Sequence, residues 1–457
     1  MMDNLTLTDI LDTLSTNEAD MMKVSVKHQN LDIKIYYYQS TVSPKHLNDY
    51  YLNKITKENF KSLNEAIPGV FYRVLVFSLN EISYLLSNGN LIMVVNDEYP
   101  YYLNLSTIPV RSTEKGELDP NNLLASQDDF VENINHSLAL IRKRIKSPDL
   151  IVDKYKLGNT SQTDIYFIYL EKTKKQPFIK EIECRLNAFK EESLTNINDL
   201  NIIFNDSLLL PTVFNTGSPD YAVGAILEGK AILLMDNSPV VAVLPTTLST
   251  FTTIKNESNE PKYYTFFARL FTIFFFFISI FFLGLVIALT NFNPTFFSTL
   301  FMSSMQITER GTTFPIFIEC LIVLFLFETF RLISSRAPNN YVQNIIIIFS
   351  GLFIGQNAIS SGLVGSTLLL IASLSYVSSF AITNNQHLIT SFDIFRLYNL
   401  ILSYTFGILG FTIGLITTLL YISSQKSVGV PFFLPFSPLR PNKLKGFFFP
   451  KHGDKNE

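Results

Sequence analysis

The sequence contains no tryptophan, two cysteines, five histidines and almost no excess of charge of either sign. Each scarcity closes a class of explanation. Cys184 and Cys320 lie far apart, so neither a disulfide framework nor a cysteine-rich zinc site is in prospect. The histidines, at 28, 46, 136, 387 and 452, are scattered and form no His-Glu metal helix. Basic and acidic residues number 36 and 39, for a net charge of −3, and no long basic tract appears, which argues against a nucleic-acid binder. There is no phosphate-cradling glycine loop and no nucleophile elbow. Nothing supports enzyme activity, and no cofactor or metal is implied. The first twenty residues, MMDNLTLTDILDTLSTNEAD, are acidic and polar and lack the charged-then-apolar pattern of a secretory signal.

What is abundant is phenylalanine, 41 of the 457 residues. At about 150 residues per unit the length allows roughly three units. The apolar residues are concentrated after residue 265. The expected fold is an α+β soluble N-terminal half made of two related α/β subdomains, followed by an α-helical integral membrane domain of four to five helices.

In the first half, residues 1–112 read as one subdomain. An amphipathic helix is followed by MKVSVKH and IKIYYYQST around a QNLD turn, a β-hairpin pattern. Helical patterning over about Leu47–Leu86 ends at Gly89, and strands flank a turn at Asn96–Pro100. A polar stretch at 113–129 reads as a linker. Residues 130–262 repeat the plan: a helix at 134–145, a strand DIYFIYLEK at 164–172, a helix at Pro177–Phe189, and AILEGKAILLMDNSPVVAVLPTT at 225–247, with Gly229 standing where Gly89 stood. Both glycines read as helix C-caps with positive φ, with ligand contact as the lesser alternative. The basic run Arg142–Lys146 is read as a solvated face, with contact to a membrane surface as the minority alternative.

Residues 266–423 carry the apolar helices. FTIFFFFISIFFLGLVIAL (271–289) is uncharged and spans a bilayer by length. Phe314–Pro338 is also long enough, yet holds Glu319 and Glu328 inside its apolar run and Arg331 at its end. A charge near the bilayer centre costs about 2.5–3.5 kcal/mol on insertion scales. At about 100° per residue the two glutamates point to opposite faces, whereas Glu328 and Arg331 share one and could pair. Two readings stay open for them, an ion pair between packed helices or the lining of a polar conduit. Asn344–Ile382 divides into two helices turning near Ser360–Gly365, with Gln356, Asn357, Ser360 and Ser361 at the turn; Gly351 and Gly355 are spaced for close helix packing. Leu397–Ile422 reads as the last spanning helix, with Gly410 and Gly414 at the same spacing. A basic tail of cytoplasmic type, 424–457, follows. Lys255, Lys262 and Arg269 on one flank and that tail on the other both belong in the cytoplasm by the positive-inside rule, but five crossings put them on opposite sides.

Several separated stretches resemble the A subunit of a GerA-type spore germination receptor. FVENINHSLALIRKRIKSPDL (130–150) and PTVFNTGSPDYAVGAILEGKAILLMDNSPVVAVLPTT (211–247) are similar to family segments. FPIFIE…FETFR…SRAP keeps Pro315, Glu319, Glu328, Arg331, Arg336 and Pro338 at the family's spacing. IGQNAISSGLV, SSFAI and SVGVPFFLPFSP follow in order. The chain departs from the family pattern at Leu324, Leu332, Ser360 and Asn237, where an acidic residue or Asp-Gly is usual, and at Gly217–Asp220.

The resemblance implies a multi-pass subunit in the spore inner membrane with its N-terminal domain on the core side. It implies B-type and C-type receptor subunits as partners, membrane lipid around it, a homo-oligomer, and nutrient-gated release of cations. Glu319, Glu328, Arg331 and Arg336 are then the residues for pore electrostatics or helix packing, and Gln356, Asn357 and Ser360 the polar groups of the membrane turn. A non-conducting scaffold or divergent paralogue is the alternative; a transporter is disfavoured because no inverted repeat is visible.

Overall fold

The structure is a computed structural model. It describes residues 18–28, 31–42, 79–96, 99–106, 128–252, 262–296, 313–336 and 356–439, together with a few isolated positions. The expected linker falls almost wholly outside these residues, as do Gly351 and Gly355 and most of the last segment of the tail. The chain forms two compact units, one of residues 1–206, 212–246 and 426–430, the other of 207–211, 247–425 and 431–457.

The first unit holds two five-stranded antiparallel sheets. The strands of the first are β1 (Met21–His28), β2 (Leu31–Tyr38), β3 (Tyr72–Arg73), β4 (Asn90–Val95) and β5 (Tyr99–Asn104), in the order β1-β2-β4-β5-β3. The second uses β6 (Leu150–Leu157), β7 (Thr163–Leu170), β8 (Phe214–Thr216), β9 (Ala231–Met235) and β10 (Val241–Leu244), in the order β6-β7-β9-β10-β8. The same strand order twice is the three-dimensional form of the repeat in the sequence. β3 lies inside the stretch expected to be helical. Tyr72 and Arg73 pair with Tyr102 and Tyr101 of β5, and pairing along a sheet edge overrides local helical spacing.

Alternation builds the cores. In β2, Ile33, Ile35 and Tyr37 face one side of the first sheet, and Tyr36 and Tyr38 the other, where helix α1 (Leu79–Ser87) contributes Ile82 and Leu86. In the second sheet Tyr166, Ile168 and Leu170 face α2 (Ile134–Arg144) and α5 (Pro219–Leu227). Ile165, Phe167 and Tyr169 face α3 (Pro177–Ala188) and α4 (Ile197–Phe204). With helices on both sides, β7 is buried at every position from Ile165 to Leu170, which is why IYFIYL shows no polar alternation after Thr163 and Asp164. Gly229 (φ +88°) closes α5, its N–H donating to Ile226 and that of Lys230 to Ala225, the paired bonds of a Schellman motif. Gly89 (φ +80°) closes the turn after α1.

The second unit is a helical bundle. α6 (Lys262–Phe277) runs through a π-helical stretch (Ile278–Phe282) into α7 (Leu283–Phe292). α8 (Ile316–Ser335), α9 (Ser366–Ile382) and α10 (Gln386–Ser424) follow. Two segments, Tyr263–Phe292 and Gln386–Ser424, are long and apolar enough to cross a membrane. The second is not one rod. Gly407 interrupts it with φ +61° and ψ −137°, and the two halves fold back on each other. The Tyr398 and Thr417 hydroxyls are 3.1 Å apart, and Phe395 packs on Tyr421. A Cβ on Gly414 would sit 2.5 Å from Asn399 Nδ2. The single last helix read from the sequence is therefore a hairpin. Gly410 and Gly414 lie where the second leg presses on the first, since a Cβ on Gly410 would meet the Leu402 carbonyl.

The tail also departs from expectation at its start. Lys426–Val430 returns to the first unit. Val428 lies in the same core as Phe167 and Leu233, and Ser427 Oγ donates to the Thr212 carbonyl at 2.7 Å and accepts from the Thr246 N–H at 3.0 Å.

Candidate functional site

Ionisable side chains within the apolar bundle have to be partnered, and the bundle is arranged around that need. The first leg of α10 runs parallel to α6–α7: Phe276 packs on Phe392, Gly284 approaches Asn399 and Ser403, and Phe292 approaches Gly407. α8 runs against this leg, with Phe317 stacked on Tyr404 at 4.6 Å and Arg331 beside Thr390. α8 and α9 are parallel: Glu319 meets Gly365 near their starts and Phe327 stacks on Tyr376 further along.

This packing brings four charges into one ladder. Glu328 Oε1 accepts from Arg331 Nη2 at 2.5 Å, the pair expected from the three-residue spacing. Arg331 Nη1 lies 3.7 Å from Asp393 Oδ2, and Asp393 Oδ1 accepts from Arg396 Nη1 at 2.5 Å. Two acids and two bases alternate, so the ladder is neutral overall. Its signal was present in the sequence as a repeat, Phe327-Glu328-Thr329-Phe330-Arg331-Leu332 and Phe392-Asp393-Ile394-Phe395-Arg396-Leu397. What one-dimensional reading missed is that the second copy faces the first.

Arg396 is the most enclosed member, with no exposed side-chain surface. Its Nε donates to the Ser279 carbonyl at 2.7 Å, and its Nη2 to Ser379 Oγ at 2.7 Å, to the Ser375 carbonyl at 3.1 Å and to Ser279 Oγ at 3.2 Å. Ser375 Oγ also donates to the Ser279 carbonyl at 2.9 Å. The Ser279 carbonyl belongs to the π-helical turn. Its wider register presents backbone oxygens sideways, the usual reason such a turn marks a site. Arg396 is thus held by backbone and serine groups as well as by Asp393, an arrangement that makes a buried guanidinium tolerable.

The remaining expected residues divide. Glu319 is buried but stands apart from the ladder, its Oε2 accepting from the Gly365 N–H at 3.0 Å, where it caps the positive end of α9. Arg336 is exposed beyond the end of α8 and has no part in the ladder. Gln356, Asn357 and Ser360 are exposed on a short helical segment before the turn at Ser361–Gly365.

The basic run of the first unit is not a solvated face. Arg142 is fully buried. It donates from Nε to Asp20 Oδ2 at 2.9 Å and from Nη2 to Glu18 Oε2 at 2.7 Å, and its guanidinium lies 3.7 Å from the centre of the Tyr38 ring. Asp20 also accepts from the Ser40 N–H and hydroxyl, and the Ala19 N–H donates to the Val152 carbonyl of β6. The segment leading into β1 is thereby bolted to the second sheet. Burial pushes the Glu18 carboxyl above the usual carboxylate range despite Arg142 beside it. Arg144 pairs with Asp220 at 2.6 Å, and of Arg142, Lys143 and Arg144 it is Lys143 that is exposed. Periodicity places Arg142 on the inward stripe of α2, but only the partners from 18–38 make that position acceptable for a charge. Among the described residues, no group of His, Cys, Asp and Glu could hold a metal ion.

Compared with known proteins, residues 8–453 match the family model described as Bacillus/Clostridium GerA spore germination protein. Spore germination protein XA of Bacillus anthracis is 30% identical over 84% of this chain and 79% of its own length. Spore germination protein GerQA of Bacillus cereus is 25% identical over 96% and 88%. Among solved structures, the N-terminal domain of the A subunit of the Bacillus megaterium spore germinant receptor GerK3 is 22% identical, covering 52% of this chain and 92% of that domain with a TM-score of 0.39.

Proposed function

This chain belongs to the GerA family of spore germination proteins, and from that membership we propose that it is the membrane subunit through which a germinant receptor couples nutrient sensing to ion release. The match over residues 8–453 carries the reading. In it the chain resides in the spore inner membrane with its two-sheet unit on the core side. It assembles with B-type and C-type subunits and with copies of itself into a cation channel, and performs no chemical step of its own.

One feature supports a membrane-spanning bundle: it exposes large apolar side chains on several helices, among them Phe325 at 74%, Leu370 at 69%, Leu409 at 73% and Leu420 at 61%, more than water tolerates.

Within the ladder, Arg396 is fully enclosed and Arg331 retains 8% of its side-chain surface, whereas Glu328 keeps 36%. Glu328 is therefore the least enclosed side chain of the ladder, although its Oε2 is buried; we assign it the place nearest a conduit formed with other subunits, and Arg396 is a packing charge. The enclosure of Arg396 also favours the second reading, a scaffold that assembles the receptor without conducting. Monovalent-cation release from spores lacking only this gene, challenged with a panel of nutrients, tests the reading. Loss of early release for at least one nutrient, restored by the intact gene, is expected; normal release for every nutrient refutes a receptor role. Glu328→Ala in the restored strain separates channel from scaffold. Altered flux or selectivity with normal protein level is expected, and unchanged flux removes Glu328 from the conduit.

A further inference from the structure

The helical unit opens on a segment whose outward face is more apolar than its inward one. Along α6 the exposed large side chains are Tyr263, Tyr264, Phe267, Leu270, Phe271, Phe274 and Phe277, at intervals that put them on one stripe of a 3.6-residue helix. The opposite stripe holds Thr265, fully buried, and Arg269, whose guanidinium lies 4.8 Å from the centre of the Phe447 ring. Phe447 belongs to an aromatic chain from the tail. Phe433 packs on Phe436, Phe436 on Phe447, Phe447 on Phe448, and Phe448 on Phe266 of α6 at 5.7 Å.

Length decides where this segment sits. Tyr263–Phe292 has 30 residues, about 45 Å at 1.5 Å per residue. The hydrocarbon core of a bilayer is about 30 Å thick, so about ten residues must lie outside it. The surplus belongs at the start of α6, where the two tyrosines, the inward-facing arginine and the tail aromatics are gathered. Rings with a polar edge favour the headgroup level, and plain phenylalanine favours the acyl chains below. α6 shows that order along its exposed stripe, from Tyr263 and Tyr264 through Phe267 to Phe271 and Phe274.

We propose that the first three turns of α6, with the aromatic tail folded onto their inner side, form a collar seated in the headgroup–acyl boundary of the bilayer. Tyr263, Tyr264 and Phe267 contact lipid directly there, and the acyl region begins near Phe274. The exposed stripe runs on through Phe277 within the apolar span Tyr263–Phe292, so its occupant is lipid. The proposal rests on the membrane-spanning reading above and adds the depth at which the chain is anchored.

The lack of tryptophan makes the test direct, because an introduced one reports alone. The full chain is reconstituted in phosphatidylcholine bilayers as Phe267→Trp and, on the same helix about 15 Å further on, Phe277→Trp. Lipids brominated near the headgroup are expected to quench Phe267→Trp at least twofold more than lipids brominated near the chain end, with that ratio clearly smaller for Phe277→Trp. Deep quenching of Phe267→Trp, quenching by aqueous iodide alone, or shielding from both overturns the collar. These outcomes mean, respectively, that α6 enters the core from its start, stands in water, or is covered by protein. If no brominated lipid quenches Phe277→Trp, the membrane reading itself fails. Tyr264→Trp, one turn away, repeats the measurement should Phe267→Trp fail to fold. Phe447→Ala is expected to move Phe267→Trp toward iodide access, and no movement removes the tail from the collar.

Discussion

Replacing Arg142 with methionine separates the cost of stranded charge from the cost of lost packing. The guanidinium makes hydrogen bonds of 2.7 and 2.9 Å to two carboxylates that are themselves 4% and 0% exposed. Methionine fills much of the volume but leaves Glu18 and Asp20 buried without a counter-charge. Removing one partner of such a pair costs about 3–5 kcal/mol, and at about 1.4 kcal/mol per tenfold this is about two to nearly four orders of magnitude in the opening equilibrium. Hydrogen exchange of the full chain in bilayer discs, followed over β1 and β6, reads that equilibrium directly. The loss should depend on pH. Without Arg142 the Glu18 carboxyl, already raised by burial, loses the cation that lowers it and rises further above the ordinary value of about 4. The folded state then binds more protons than the unfolded one, so stability falls as pH climbs from about 4 through the raised Glu18 value. The deficit is smallest in acid and grows toward neutrality. Adding Glu18→Gln and Asp20→Asn to Arg142→Met should restore most of the protection, since the stranded charges are gone. Exchange within tenfold of the parent in Arg142→Met, or no recovery on neutralising both acids, refutes the account.

Gly407→Ala should open the α10 hairpin. Its backbone angles suit only glycine, at a strain of about 1–3 kcal/mol for other residues, and the added Cβ would lie 2.7 Å from the Phe292 ring. Crosslinking between Tyr398→Cys and Thr417→Cys, in a chain with Cys184 and Cys320 replaced, reports it: efficient in the parent, lost with Gly407→Ala. Arg396→Met should lower folded yield in the membrane more than Arg331→Met does, because it strands Asp393 and the carbonyls of Ser279 and Ser375; equal yields would show that the enclosure is incidental. In α4, Asn196 and Asp199 form a capping box, and the Thr195 and Asn196 N–H groups hold the Asp199 carboxyl below its usual range. A lowered folded value stabilises above the ordinary carboxylate pKa, and that gain is lost as pH falls through the folded value. Asp199→Asn should therefore cost about 1 kcal/mol of local stability at neutral pH, seen as faster exchange over 197–204, with the difference vanishing in strong acid.

The repeat of two α/β subdomains was legible because each copy carries its own strand patterns, its helix-ending glycine and its closing hairpin, all of which are local signals. β3 was not, because two residues on a sheet edge have no periodicity to read. The pair Glu328–Arg331 was legible from a three-residue spacing, and Glu319 was identified as special but not as the cap of α9. Its partner, the Gly365 N–H, lies across a turn.

Local rules of spacing and capping, read along the chain, were enough to place most strands, the glycine caps, the apolar helices and one ion pair, because such interactions span a few residues. Three features depended on the folded chain. Arg142 is a core residue only because Glu18 and Asp20 return from 122 or more positions away. Asp393 and Arg396 join the ladder only because α10 lies along α8. The last apolar run is a hairpin and not a rod because Gly407 turns in glycine-only angles beneath Phe292. Hydropathy weighs residues one by one, whereas a buried charge or a reversal of direction is decided by what the rest of the chain brings against it.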